Sequence, residues 1–90
     1  MEKTYLNGAE LTDHVRAFIG NTKSIYNWAC IAANIYKVNK NDDMLLGFYI
    51  GYKFEELKKG LREFYPWLEF NQGELRESIA QVVKEYAEED

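Results

Sequence analysis

The run from Asp42 to Trp67, DDMLLGFYIGYKFEELKKGLREFYPW, constrains the chain more than any other stretch. Apolar residues recur in it every three or four positions until Pro66, the single proline of the sequence. At about 100° per residue, Leu46, Ile50, Phe54, Leu57, Leu61 and Phe64 fall on one arc, so the run reads as a long helix with one core face. Proline lacks the N–H that a helix interior needs and disfavours helical geometry in the residue before it, which places the end near Phe64.

The opposite side of this helix is not uniform. Beyond Lys53 it carries Glu55, Lys58, Lys59 and Arg62, a solvated surface of mixed sign. Before Lys53 it carries Leu45, Phe48, Tyr49 and Tyr52. A half-helix apolar on every side needs covering twice. Either the rest of the bundle wraps it as a central helix, or a second molecule does. Gly47 and Gly51 lie along one edge of the core face. Each costs a helix roughly 1 kcal/mol relative to alanine, so both are expected where a neighbouring backbone comes close. Their GxxxG spacing is a weak signal outside a long apolar segment.

Three further helices fit the flanking sequence. Asn7 and Glu10 have capping-box spacing ahead of the stripe Leu11, Val15, Phe18 and Ile19, and Gly20 is placed to end that helix. A second helix starts near Thr22 or Ser24, with Ile25, Trp28, Ala32 and Ile35 on one face. Its Ala29, Ala32 and Ala33 allow close packing. The turn NKNDD follows, in which Asn41, Asp42 or Asp43 can cap the long helix. Asn71 and Glu74 repeat the capping-box spacing before Leu75, Ile79, Val82, Val83 and Tyr86. No internal repeat or long linker interrupts the pattern. The expected fold is all-α, a compact bundle of about four helices forming one domain over residues 1–90.

Charge is concentrated at one end. Residues 74–90 hold six acidic and two basic side chains and residues 1–73 hold nine of each, so the net charge of −4 sits on the last helix. Acidic groups oppose the dipole at a helix C-terminus, so fraying is expected over Glu88–Asp90. One cysteine excludes an internal disulfide and favours a reducing, cytoplasmic setting. The longest apolar run is far below the roughly 20 residues of a membrane span.

Catalytic and metal chemistry find little footing. His14, beside Asp13 and expected at the surface, is the one histidine. Cys30, in an alanine-rich helix, reads as a small buried hydrophobe, and a Cys–His pair would need the two adjacent in space. There is no CxxC or HExxH, and the pairs Asp42–Asp43 and Glu55–Glu56 lack the EF-hand pattern. The loop GNTKS has no Walker spacing, which leaves Lys23 a solvated lysine. No catalytic activity, cofactor, metal or membrane partner is expected.

Binding surfaces are better supported. Aromatic residues make up 16% of the chain, more than a small core readily shelters. Leu45, Phe48, Tyr49 and Tyr52 form one candidate protein-binding surface, for a different protein or for a second copy of the chain in a homodimer. Tyr65 and Trp67, at the corner after the long helix, form another, although large rings at such a corner also serve to plug a bundle end. The expected role is that of a small inhibitor, adaptor or regulator, of the kind phages and mobile elements carry as accessory proteins. The alternative is a nucleic-acid-associated regulator using Lys53, Lys58, Lys59 and Arg62, with Lys37 and Lys40 nearby. Interleaved glutamates and a net charge of −4 work against it. That charge is also too modest for an acidic mimic of DNA.

Overall fold

The computed structural model describes residues 2–89. In chain order it contains β1 (Thr4–Tyr5), α1 (Gly8–Asn21), α2 (Lys23–Val38), α3 (Asp43–Phe64), β2 (Leu68–Glu69) and α4 (Gln72–Glu88). Helix accounts for 78% of the described residues, so the architecture is the expected all-α four-helix bundle.

A side-chain cap opens two of the four helices, α3 and α4, and none opens α1 or α2. Asp42 accepts bonds from the N–H groups of Met44 and Leu45 at 3.0 and 3.2 Å, satisfying two donors that the first turn of α3 leaves free. Asn71 does the same for Gly73 and Glu74 at 2.8 and 3.3 Å. Asn7 does not. It takes an extended conformation and its side chain makes no capping bond. The next residue, Gly8, has a φ of 53°, and this left-handed entry re-aims the chain in place of the expected capping box. Gly20 does not end α1, which runs on to Asn21 until the extended Thr22 breaks it and opens α2 one residue later. After α2, Lys40 and Asn41 both adopt left-handed backbone, and the N–H of Asn41 reaches the carbonyl of Tyr36 at 2.9 Å to close the turn. At the chain's acidic end α4 includes Glu88, and the N–H of Glu89 donates to the carbonyl of Tyr86. Asp90 lies outside the described residues.

Leucine, isoleucine, valine and alanine fill the centre, with the stripes of α1 and α4 buried as their spacing requires, except that Tyr86, near the end of α4, is only half-buried. The helix that the others share is α4, not α3. Helices α1 and α2 both pack along α4, whereas α3 lies against the assembly from one side. The reason lies in the residues. Ala29, Ala32 and Ala33 bring α2 close, and Ser78 gives α4 a small, buried position opposite Thr12, with the two hydroxyls 2.9 Å apart. Gly47 and Gly51 give no such approach. An added Cβ would meet nothing within 4 Å at Gly47, and at Gly51 only the Arg76 guanidinium at 3.7 Å. The glycine that does admit a neighbour is Gly60, where a Cβ would lie 2.8 Å from the Phe18 ring.

Two further departures concern the ends of the core. Phe64 is 45% exposed because it is the last residue of α3 and has ring neighbours, Phe18 and Tyr65, on one side only. Helical periodicity also leaves no room for the short parallel ribbon that joins the two ends of the fold. Thr4 donates to the Trp67 carbonyl at 2.8 Å and Leu6 to the Glu69 carbonyl at 2.9 Å, which seats Leu6 and Leu68 in the core.

Candidate functional site: the outer face of α3

The first half of α3 presents its apolar back to solvent. Met44, Phe48 and Tyr52 are 75%, 71% and 89% exposed, and they follow one another at intervals of four residues, a single row along the helix. Leu45 and Tyr49 flank the row half-buried, and Tyr49 packs against the core. Phe48, Tyr49 and Tyr52 together line an open apolar hollow of about 400 Å³. Nothing in the described residues covers it. Sequence reasoning found four members of this surface and missed Met44, which the i, i+4 spacing from Phe48 would have supplied.

Beside the row, the edge marked by Gly47 is a second open groove. Leu46 and Ile50 contribute from α3 and Ala80 from α4, and Asp43, Arg76, Glu77 and Lys84 contribute charge of both signs. Lys84 holds Asp43 at 3.1 Å across its rim, and the Arg76 guanidinium lies 4.4 Å from the centroid of the Phe54 ring. The missing side chains of Gly47 and Gly51 thus leave space at the surface and not between packed helices.

The second candidate pair, Tyr65 and Trp67, is not part of this face. It lies beyond the far end of α3, about 25 Å along the axis from Phe48 at 1.5 Å per residue. There Tyr65 and Trp67 stand edge to face with His14, at centroid distances of 5.0 and 5.5 Å. All three are half-buried, so the corner is a packed aromatic plug, and His14 is less exposed than its sequence position implies. The His14 Nδ1 is 2.8 Å from the Glu10 carbonyl, which fixes the ring.

The basic residues do not gather on one face. Lys53 and Arg62 are nine positions apart, which puts them on opposite sides of the helix at about 100° per residue. Lys53 pairs with Glu56 at 3.0 Å and Lys58 with Glu55 at 2.9 Å. Arg62 lies over the Phe70 ring at 5.0 Å, and Lys59 is exposed.

Cys30 is exposed, contrary to its expected burial, because it opens on a hollow between α2 and the end of α4, lined by Tyr26, Asn34, Lys37 and Tyr86. The surroundings of Cys30 share no residue with those of His14. Among the described residues, no group of three or more His, Cys, Asp or Glu side chains is placed to hold a metal ion, and no helix is long and apolar enough to cross a membrane. The clearest interaction between elements is polar and structural. Arg16 of α1 donates from Nε and Nη2 to the two carboxylate oxygens of Glu85 on α4, each at 2.8 Å, and from Nη1 to Asp13 at 2.6 Å. These bonds hold the Glu85 carboxyl below the usual carboxylate range.

No known protein family, curated protein or solved structure matches the chain.

Proposed function

We propose that this protein acts by binding another protein through the outer face of α3, as an inhibitor, adaptor or regulator without catalytic chemistry of its own. One observation carries the reading: Met44, Phe48 and Tyr52 form a continuous exposed row on a helix whose other face is fully used by the core. Contiguous apolar surface rimmed by charge is the usual composition of a binding site, and aromatic residues carry a large share of binding energy at such sites. The charged rim of Glu55, Glu56 and Lys59 along the same helix supplies the polar border.

Nucleic-acid binding through Lys53, Lys58, Lys59 and Arg62 has less to draw on. Two of the four already pair with glutamates, and the set is spread around the helix. Retention on heparin that collapses between low and moderate salt is the outcome that would favour it.

Tyr52→Glu tests the protein-binding reading. The ring is almost fully exposed, so the far-UV helical signal is expected to stay unchanged while proteins captured by the wild-type chain from its native host are lost. Capture unchanged by the substitution, or unfolding of the variant, would remove the α3 face from consideration.

A further inference from the structure

We infer, on the reading of this face as a protein-binding surface, that its occupant is a second copy of the chain, with the two α3 helices antiparallel across a two-fold axis near Phe48. The area is sufficient but small. An exposed aromatic or methionine side chain offers on the order of 150 Å², so the row with its flanking Leu45 and Tyr49 presents roughly 500–600 Å² per copy. Two copies then bury about 1,100 Å², near the lower bound for a specific interface, which fits a dimer of micromolar or weaker affinity. Because the same patch serves both partners, the assembly closes at two copies.

The charges select the antiparallel direction. In a parallel pair every charge on α3 would meet its own copy, Glu55 against Glu55. In the antiparallel pair, Tyr52 of one copy lies over Met44 of the other. Glu55, about 10 Å along the axis from Phe48, then reaches just past the partner's first turn, which begins about 7 Å from Phe48 at Asp43. Positive charge is available to it there. The helix N-terminus points there, and the exposed Lys40 precedes it by three residues. The acids on both sides already have partners within their own chain, Asp42 the N–H groups of Met44 and Leu45, Asp43 the ammonium of Lys84, and Glu55 that of Lys58 at 2.9 Å, an exposed pair to which Lys40 of the second copy adds a further cation. Two symmetry-related Glu55–Lys40 contacts therefore border a centre of Met44, Phe48 and Tyr52. Gly47 and Gly51 lie beside that row and add no side chains to hold the partner off.

Sedimentation equilibrium over a wide concentration range tests this. The wild-type chain is expected to pass from the mass of one chain to that of two and no further, and Tyr52→Glu to stay at one with its helical signal intact. Lys40→Glu and Glu55→Lys should each weaken the dimer about tenfold, and the double variant, which restores opposite charge at both ends, should return to within about threefold of wild type. A wild-type chain still of single mass at about 1 mM would overturn the self-pairing. So would growth past two copies, a dimer indifferent to Tyr52→Glu, or single charge variants that the double variant does not rescue. If self-pairing fails and Tyr52→Glu still loses a captured protein, the binding face stands with a different occupant. If Tyr52→Glu changes neither readout, both fail.

Discussion

At the scale of single residues, glycines show most sharply how environment decides a substitution. Gly47 and Gly60 sit on the same helix and both lower its intrinsic stability. At Gly47 a methyl group meets open space, so Gly47→Ala should raise unfolding free energy by up to about 1 kcal/mol. At Gly60 it would fall 2.8 Å from the rim of Phe18, a ring buried in the core, so Gly60→Ala should cost about 1–3 kcal/mol despite alanine's better propensity. Urea titration of the two variants checks the pair, and equal effects would contradict the packing described for Gly60. The sequence pointed to the wrong glycines because spacing records which face of a helix a residue shares. It does not record which bulky ring from another helix will arrive there. Phe18 and Gly60 are 42 positions apart, and only the angle at which α1 crosses α3 brings them together. Met44 and Phe64 were misjudged for a related reason: at a helix end, the face matters less than whether any neighbour extends that far.

Between elements, the Arg16–Glu85 pair ties α1 to α4 at the edge of their apolar seam, and its contribution depends on pH in a defined direction. The Arg16 hydrogen bonds lower the Glu85 carboxyl in the folded chain relative to the unfolded one. A lowered carboxyl adds stability that is fully present above the ordinary glutamate value, about 4.3, and is lost as pH falls through the folded value. With the Arg16 side chain 41% exposed, solvent screens the pair, so Glu85→Gln should cost only about 0.5–1 kcal/mol near neutral pH. The gap between variant and wild type should close in acid and narrow in high salt, as denaturant titrations at neutral and acid pH would show. A gap that persists in acid would mean that packing, and not the carboxylate charge, is responsible. Helix existence and the caps at Asp42 and Asn71 were readable from sequence because their causes are local: a side-chain oxygen and an N–H two or three residues away. The ribbon of β1 and β2 was not, because Thr4 and Leu68 become partners only once the bundle has folded. The same holds for Tyr5, whose hydroxyl donates to Glu74 at 2.9 Å and so engages the very carboxylate that a capping box would have turned back on Asn71.

For the molecule as a whole, the governing quantity is how much side-chain area a chain of 90 residues can enclose. A domain this small buries a lower share of its surface than a larger one. Here aliphatic residues occupy the interior, and of fourteen aromatic rings only Phe18, Tyr36 and Phe54 are buried. That some rings must lie outside was evident from composition; that the two most exposed, Phe48 and Tyr52, share the outer row of α3 depended on α4 taking the central position. The energetic consequence separates two residues only two positions apart. In dilute solution Phe48→Ser should leave the unfolding free energy within about 0.5 kcal/mol of wild type, as substitutions at uncovered sites do. Ile50→Ala, on the buried side of the same turn, should lose about 2–5 kcal/mol. Raising the concentration then distinguishes a face that is merely exposed from one that is occupied. Self-pairing acts on the folded state alone, so by mass action the wild-type thermal midpoint should climb with concentration while that of Phe48→Ser stays fixed. Midpoints that rise in parallel for both chains would locate the association on some other surface, since in the proposed pair the ring at position 48 is the centre about which the two α3 helices turn.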